Sequence, residues 1–268
     1  MAAVAVATSA SGQNLVFNGS FEVTSVAGPV NGCCELVESL PAGASAVPGW
    51  SVDGGGAELR GRDAECVEGP ADGGRWLRLG QGFTGGSITQ LVPTRPAVRH
   101  AIRFRRWVES PTGVMVPLKI TAPGFNVTLF LPPDGPSCTP QIAASTIVEF
   151  TATHDVSALR FETYGGPADR LVLLDAVEVV EVTDCDRDGA IDGFAILDGV
   201  VEDRDGDGIP DQCQCRSDFD GDGFVGGFEL GRLFGSWGSE DRSIDLDGDG
   251  LIGSGDLAIL LGDWGDCG

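Results

Sequence analysis

Leu171-Val-Leu-Leu-Asp-Ala-Val-Glu-Val-Val180 is the longest of eight short apolar or alternating segments within residues 13–182. Val114-Met-Val-Pro-Leu-Lys-Ile120 and Val127-Thr-Leu-Phe-Leu131 show the same pattern, and clusters of glycine and proline separate the segments. A period of two places apolar side chains on one face of a strand, while glycine and proline favour turns. Because no convincing helical pattern lies between these segments, residues 13–182 are predicted to form an antiparallel β-sandwich.

Short motifs spread along this segment give the fold a more specific form. In chain order they are Asn14-Leu-Val-Phe-Asn-Gly-Ser-Phe-Glu22, Pro48-Gly-Trp50, Gly74-Arg-Trp-Leu-Arg-Leu79, Ile88-Thr-Gln-Leu-Val92 and Leu174-Asp-Ala-Val177. The series resembles galactose-binding-like jelly rolls, a group that includes carbohydrate-binding modules. The resemblance covers about residues 14–182 and implies a jelly-roll sandwich, with carbohydrate binding as one of the functions that this fold supports.

Candidate site residues in the sandwich are aromatic and acidic. Sugar binding needs exposed rings that stack on pyranose faces, and Trp76, Trp107 and Tyr164 are the candidates. The alternative is that these rings cover the core. Many proteins of this fold hold a structural calcium ion between an early Glu and a late Asp, and the resemblance places Glu22 and Asp175 at those positions.

Two acidic loops, one 27 residues after the other, dominate the C-terminal part of the chain. They are Asp218-Phe-Asp-Gly-Asp-Gly-Phe-Val-Gly-Gly-Phe-Glu229 and Asp245-Leu-Asp-Gly-Asp-Gly-Leu-Ile-Gly-Ser-Gly-Asp256. Carboxylates stand at loop positions 1, 3, 5 and 12 and glycine at position 6, which is the spacing of a calcium loop. The carbonyl at position 7 supplies a further oxygen. The spacing therefore predicts one calcium ion in each loop.

A short amphipathic helix is predicted after each loop, over Glu229–Trp237 and Asp256–Trp264. Its apolar face is predicted from the repeated pairs Leu230/Leu257, Leu233/Leu260 and Phe234/Leu261. No helical pattern precedes either loop, so each unit is half an EF-hand. The duplicated arrangement over residues 216–268 resembles a type I dockerin, a calcium module that docks into cohesin domains of polysaccharide-degrading complexes.

The dockerin resemblance implies a ligand set but leaves the docking partner open. Loop positions 10 and 11, where such modules present a Ser-Thr-like pair, hold Gly227-Phe228 and Ser254-Gly255. A cohesin-like protein, another extracellular protein, or a structural calcium module without a docking partner are the alternatives. The implied calcium ligands are Asp218, Asp220, Asp222, the Phe224 carbonyl and Glu229, then Asp245, Asp247, Asp249, the Leu251 carbonyl and Asp256.

Residues 183–215 carry two further acidic repeats, Asp184-Cys-Asp-Arg-Asp-Gly-Ala-Ile-Asp192 and Asp203-Arg-Asp-Gly-Asp-Gly-Ile-Pro-Asp211. They resemble thrombospondin type 3 repeats, which wrap calcium with little regular structure. The implied ligands are Asp184, Asp186, Asp188 and Asp192 in the first copy, and Asp203, Asp205, Asp207 and Asp211 in the second.

Eight cysteines in an acidic, glycine-rich chain favour disulfides and an exported protein, and their spacing does not suit zinc. With the module resemblances in hand, Cys215–Cys267 is expected to clasp the two ends of the dockerin-like segment. Cys185–Cys213 is expected to brace the type 3-like repeats. Pairing among the other four cysteines does not follow from the sequence.

The net charge of −23 is concentrated in residues 183–268, which hold 22 Asp and Glu against five Arg. Such a charge argues against nucleic-acid partners and anionic membrane surfaces, and no run of 18 apolar residues predicts a membrane span. Residues 1–12 are similar to the apolar end of a signal peptide, or form a frayed Ala-rich terminus. We expect a secreted or cell-surface location.

Together these features predict a secreted, non-catalytic calcium-binding protein with two parts. A carbohydrate- or surface-binding sandwich would precede a calcium-binding tail with two short helices that attaches to a partner. No nucleophile, phosphate-loop or zinc-protease motif occurs. One alternative is a purely structural or adhesive surface protein stiffened by calcium, and a second is a polysaccharide-degrading enzyme built on the sandwich.

Overall fold

The computed structural model of the protein describes residues 13–24, 36–61, 75–80, 84–110, 113–134, 144–164, 171–185, 187–204, 206–220 and 224–266. The chain divides into two compact units, Met1–Val182 and Thr183–Gly268, and each is described by itself.

The first unit consists of two antiparallel sheets. Its strands are β1 (Leu36–Leu40), β2 (Ser51–Gly54), β3 (Ala57–Gly61), β4 (Arg75–Leu79), β5 (Gly86–Pro93), β6 (Arg99–Glu109), β7 (Val116–Ala122), β8 (Phe125–Leu131), β9 (Ala144–Thr151), β10 (Val156–Thr163) and β11 (Leu171–Glu181). One sheet has the order β1-β3-β4-β11-β6-β9, and the other has the order β2-β5-β10-β7-β8. Neighbouring strands in both sheets are antiparallel.

Both sheets bury one face in a common core, which confirms the predicted antiparallel β-sandwich. Burial alternates along β7, so that Val116, Leu118 and Ile120 point inward. Phe104 of the six-stranded sheet meets Phe161 of the five-stranded sheet edge to face, with ring centroids 5.4 Å apart. Both rings are fully buried, and the core therefore fixes how the two sheets face each other.

Among the eight segments predicted as strands, the first is an exception: Leu15-Val-Phe17 forms no strand. The Leu15 N–H donates to the Val179 carbonyl, and the Gln90 side chain binds both the N–H and the carbonyl of Phe17. The following Asn18 has a φ of 54°, a left-handed conformation that ends any extended run. Strands β1 to β4 were not predicted, since they are short and interrupted by glycine and charged residues.

The second unit contains short helices and bridges around a small core. Its elements are α1 (Asp192–Leu197), a 3₁₀ turn (Asp211–Cys213), β12 (Phe224–Val225), α2 (Gly227–Gly235), α3 (Ser254–Gly262) and β13 (Gly265–Asp266). Helix α1 lies where the type 3 resemblance implied little regular structure. Val225, Leu233, Ile244, Ile252 and Leu260 form the buried core.

Two residues predicted on the buried helical face are exposed instead. Phe234 is 54% exposed and Leu261 is 53% exposed, whereas Leu233 and Leu260 are fully buried. Successive helical residues are rotated by about 100°, so the residue that follows a buried leucine points away from the core. The buried stripe of each helix is therefore narrower than predicted. Among the described residues, no helix is long and apolar enough to cross a membrane.

Candidate metal centre

The first acidic loop brings three predicted ligands together. Asp218, Asp220 and Glu229 each place a carboxylate oxygen so that all three oxygens lie within 4.8 Å of one another. Asp218 and Asp220 come from the loop, and Glu229 comes from the first turn of α2. Asp222 lies outside the described residues. The local spacing thus converges three carboxylates on one point, which is the arrangement that a divalent cation requires.

Glu229 is the decisive member of this group because it is only 2% exposed. Its Oε2 accepts a hydrogen bond from the Gly226 N–H at 2.8 Å, which orients the carboxylate at the start of α2. Its Oε1 has no hydrogen-bond partner among the described residues. A buried polar atom without a partner costs about 1–3 kcal/mol, and more when it is charged. A cation between Glu229, Asp218 and Asp220 would remove that cost.

The second loop brings Asp245, Asp247 and Asp249 within the same 4.8 Å limit. Backbone N–H groups hold these side chains in place. Asp245 accepts from Gly248 at 2.9 Å and from Gly250 at 3.0 Å, and Asp249 accepts from Leu251 at 2.8 Å. The loop is therefore wound around its carboxylates, as the glycine at loop position 6 predicted.

Asp256, the last predicted ligand of the second loop, is fully buried but does not join that group of three. Its carboxylate accepts from the N–H groups of Leu246, Asp247 and Gly253 at 2.7, 3.3 and 2.6 Å. Burial alone would raise the pKa of Asp256, but these hydrogen bonds outweigh it and lower the pKa below its ordinary value. Asp256 thus stays ionised and braces the loop.

Phe224 and Leu251 were predicted to supply backbone carbonyls. Both side chains are about half exposed, so neither is needed for packing in the small core. Phe224 begins β12, and the Leu251 N–H donates a hydrogen bond to Asp249. Calcium ligation by the two carbonyls stays a prediction.

The type 3-like repeats place their acids differently. Asp203 accepts from the N–H groups of Gly206 and Gly208, both at 2.9 Å, and Asp211 forms ion pairs with Arg204 and Arg216. In the first copy, Asp184 accepts from Gly189, Asp188 from Ala190 and Asp192 from Cys185. Asp186 and Asp205 lie outside the described residues. Within the described part of residues 183–215, no three carboxylates converge as in the loops.

One disulfide lies wholly within the described residues. A disulfide joins Cys185 and Cys213, whose Cα atoms are 5.9 Å apart, and it closes the segment that holds both type 3-like repeats. Cys215 is also disulfide-bonded. Cys267 and the four remaining cysteines lie outside the described residues.

Glu22 and Asp175 occupy different settings in the sandwich. Glu22 accepts from the Arg75 N–H at 2.7 Å, and its second oxygen lies 3.8 Å from Arg75 Nε. Asp175 is fully buried in β11, at a bulge where it accepts from the Ala176 N–H. Neither belongs to a group of three candidate ligands in the described part of the chain.

Two of the three aromatic candidates for sugar stacking, Trp76 and Trp107, are buried, as the alternative interpretation has it. Trp76 is 2% exposed and Trp107 is 4% exposed, so neither ring offers a face to a ligand. Trp107 does alternate with Arg105 on the outer face of the six-stranded sheet, but that face is buried there. Glu58 and Arg78 on the same face are also buried, as an ion pair of 2.7 Å. Tyr164 alone is largely exposed.

The outer face of the five-stranded sheet carries a polar surface that sequence reasoning missed. Arg160 lies 3.3 Å from Asp53 and 3.4 Å from Glu162, and Lys119 lies 3.6 Å from Glu162. Strand register places Asp53, Ser87, Glu162, Lys119 and Thr128 in one row across all five strands. Exposed Leu91 and Phe130 flank the row. We call the outward-facing Asp53, Ser87, Lys119, Thr128, Arg160 and Glu162, with Leu91 and Phe130 beside them, the sheet platform. Its residues come from distant parts of the sequence, so no local motif marks it.

No model of a known protein family matches the chain, and no curated protein matches it significantly. Similar solved structures include a family 61 carbohydrate-binding module in complex with β-1,4-galactotriose, with 14% identity and a TM-score of 0.40 over 63% of this chain and 99% of that chain. A family 35 carbohydrate-binding module from Clostridium thermocellum has 19% identity and a TM-score of 0.33, over 52% of this chain and 98% of that chain. An arabinose-bound family 51 α-L-arabinofuranosidase has 11% identity and a TM-score of 0.41, over 68% of this chain and 28% of that chain.

These similar structures are largely carbohydrate-binding modules. With TM-scores below 0.5, the likeness fixes neither shape nor ligand, and the sandwich architecture rests on the two sheets themselves. The dockerin-like and thrombospondin type 3-like resemblances remain predictions.

Proposed function

We propose that residues 216–268 form a calcium-binding module that holds one ion in each acidic loop. The observation that carries the proposal is the buried Glu229 carboxylate: one of its oxygens lies within 4.8 Å of oxygens of Asp218 and Asp220, and its Oε1 lacks a partner among the described residues. The equivalent grouping of Asp245, Asp247 and Asp249 supports a second ion. Calcium is favoured over transition metals because the ligands are all oxygens.

The proposed role of calcium is to fold the tail. Each pair of carboxylates at this separation repels by about 1 kcal/mol even at a water-like dielectric. Helices α2 and α3 have only nine residues each, which is too short for a helix to be stable alone. Ion binding removes the repulsion and fixes the start of each helix, so metal and folding are coupled.

Circular dichroism of the full chain, with calcium and then with excess chelator, tests this proposal. We expect chelation to remove helical signal and calcium to restore it, with two ions bound per chain by calorimetry. A helical signal that is the same in chelator and in calcium would refute the coupling. Calorimetry without any heat of calcium binding would refute the site itself.

We further propose that the module attaches the chain to an extracellular protein, cohesin-like or other. Phe234 and Trp237, both about half exposed and stacked with ring centroids 5.7 Å apart, support an attachment role, since large apolar side chains are seldom left together on a surface without a partner. A pull-down with the full chain, with and without calcium, tests attachment. Capture of a cohesin domain only in calcium is the expected result, and equal absence of capture in both conditions favours the purely structural alternative.

Polysaccharide binding by the sandwich is the second proposed function, and the sheet platform is the observation that favours it. Its paired charges and the Thr128 hydroxyl offer hydrogen bonds to sugar hydroxyls, whereas Ser87 is buried, and Phe130 offers an exposed ring beside them. The similar structures include the complex with β-1,4-galactotriose and a xylan-binding domain, so a β-1,4-galactan and xylan are the polysaccharides to test first.

Binding assays with Arg160→Ala test the platform, with Arg99→Ala as the matched control. Both arginines are ion-paired, with side chains 31% exposed for Arg160 and 62% exposed for Arg99, but Arg99 pairs with Glu149 on the other sheet. We expect Arg160→Ala to weaken retention on a bound polysaccharide while Arg99→Ala does not. Equal retention of both variants would exclude the platform. We propose no catalytic activity; product release from the same polysaccharides would instead favour an enzyme.

A further inference from the structure

The two sheets of the sandwich end on the same side in neighbouring edge strands. Among the described strands, β8 is the last of the five-stranded sheet and β9 is the last of the six-stranded sheet. The rings of Phe125 in β8 and Phe150 in β9 are 5.7 Å apart, so the two edge strands face each other. The apolar residues of this side that pack against the core but are only partly buried are Phe125, Val127, Leu129 and Val148. The core is therefore incompletely covered here.

The backbone of β9 presents hydrogen-bonding groups along this side. The Arg99 carbonyl accepts from the Val182 N–H, so Arg99 and Thr151, which lie opposite each other on β6 and β9, do not bond to each other through that carbonyl. Pairs with and without mutual hydrogen bonds alternate along an antiparallel ladder. Every second residue from Ser145 to Thr151 therefore points its N–H and carbonyl groups away from β6, and the side chains of these residues are exposed as well. No described strand pairs with this edge.

The β9 edge lacks the features that usually prevent a sheet edge from pairing with another chain. Edge strands are normally short, bulged or charged. Of the other edge strands, β1 has an irregular register and carries Glu38, and β2 has only four residues and carries Asp53. β8 and β9 together hold a single charged residue, Glu149, which is ion-paired with Arg99. Ile147, near the middle of β9, is 52% exposed. The long edge of β9 is thus open to a partner strand.

We infer that β9 pairs antiparallel with β9 of a second copy of this chain, which continues the six-stranded sheet across a two-fold axis. In the pairing centred on Ile147, the two Ile147 side chains face each other and cover their exposed surface. Ser145 then faces Glu149 of the second copy, and Arg105, which lies opposite Ser145 on β6, brings a positive charge towards that carboxylate. Each facing pair exchanges two backbone hydrogen bonds. This pairing requires neither calcium nor a polysaccharide.

The edge is complementary to itself in this register and not in the neighbouring one. Centred on Val148 instead, the pairing would set Ile147 against Glu149 and bring the two Glu149 side chains to about 7–8 Å on the diagonal, where like charges oppose pairing. Centred on Ile147, the apolar side chains meet at the axis, and each acid faces a hydroxyl beside an arginine. A polypeptide strand also satisfies the N–H and carbonyl groups of the edge in regular order, which a sugar chain does not.

Sedimentation equilibrium of the full chain, which measures mass independently of shape, tests the pairing in calcium and in chelator. The buffer should hold about 0.15 M salt, which screens the negative net charge. We expect a monomer–dimer equilibrium of the same strength in both conditions, because the sandwich forms the contact. A chain that stays monomeric up to about 300 µM overturns the inference, whatever else then covers the edge. A dimer seen only in calcium places the contact in the tail and overturns it as well.

Variants of the central residue locate the contact. Ile147→Lys sets two ammonium groups against each other at the axis and should raise the dimer dissociation constant about tenfold or more. Val156→Lys is the matched control, because Val156 is an exposed apolar residue of β10, which has a neighbouring strand on both sides, and it should dimerise as the wild type does.

Ile147→Pro keeps the test decisive if the lysine variant fails to fold, which circular dichroism would reveal. Proline removes an N–H that points away from β6, so it breaks no hydrogen bond within the sheet but blocks the pairing at its centre. We expect this variant to be monomeric. Dimerisation of either Ile147 variant at wild-type strength, or equal weakening by Val156→Lys, overturns the inference.

Discussion

Glu229→Gln should have opposite effects on the tail with and without calcium. The substitution keeps the size of the side chain and leaves an amide oxygen that can accept the Gly226 N–H, but it removes the charge. Without calcium, it relieves repulsion between Glu229 and two aspartates that lie within 4.8 Å. At about 1 kcal/mol for each pair, less the loss of a charged hydrogen bond to Gly226, the ion-free tail should gain about 1 kcal/mol.

With calcium, the same variant loses a buried charged ligand. Removing one partner of a buried, hydrogen-bonded charge pair typically costs about 2–5 kcal/mol, and we take 2–3 kcal/mol because the amide oxygen still reaches the ion. That loss corresponds to calcium binding weakened about 30- to 150-fold. The reversal of sign distinguishes a metal ligand from a carboxylate that serves only to cap α2.

Circular dichroism measures both effects, through the residual helical signal of the tail in chelator and through its thermal unfolding in calcium, and calorimetry gives the affinity. Glu240→Gln is the charge-matched control, since Glu240 is exposed and lies outside both loops, and small changes are expected in both conditions. If Glu229→Gln destabilises the tail equally with and without calcium, Glu229 is a structural cap and the assignment is wrong.

Three other perturbations follow from the same structure. Gly255→Ala would place a Cβ 1.7 Å from Asp247 Oδ2 and push that carboxylate out of the second loop, so calorimetry should show weaker calcium binding, whereas Gly262→Ala, with no atom within 4 Å of its Cβ, should not. Burial lowers the pKa of His100, so as the pH falls the unfolded chain takes up a proton at a higher pH than the folded chain does. The urea midpoint of the sandwich should therefore fall as the pH drops below about 6.5, the ordinary pKa of histidine. An unchanged midpoint between pH 7.5 and 5.5 would refute that burial effect. Phe161→Ala should cost about 3–5 kcal/mol in sandwich unfolding, and a cost below 1 kcal/mol would show that this ring does not anchor the core.

Local patterns in the sequence predicted what depends on neighbours along the chain. β7 alternates apolar and polar residues because only one of its faces meets the core. The acidic loops can be recognised in the sequence because the predicted ligands of each loop come from twelve consecutive residues. β3 and β4 were missed for the opposite reason. Their outer face is buried as well, through the ion pair of Glu58 and Arg78, so polar residues do not mark a solvent side there.

Contacts between distant segments could not be read in the same way. The sequence left open whether Trp107 is exposed or buried, because alternation assigns a side chain to a face but does not say whether that face meets solvent. The sheet platform depends on strand order, which brings Asp53, Lys119 and Arg160 together from three separate strands. Neither strand order nor burial of an outer face leaves a signal in one sequence.

The two loops share a spacing but end on different side chains, and that difference has physical consequences. Glu229 is one methylene longer than Asp256, and it reaches the group formed by Asp218 and Asp220 while still accepting the Gly226 N–H. Both carboxylate oxygens of Asp256 accept hydrogen bonds, from three backbone N–H groups in all. Among the described residues, the buried Oε1 of Glu229 has no partner. The proposed ion would therefore stabilise the first loop more than the second, because the second loop is already held by its own hydrogen bonds.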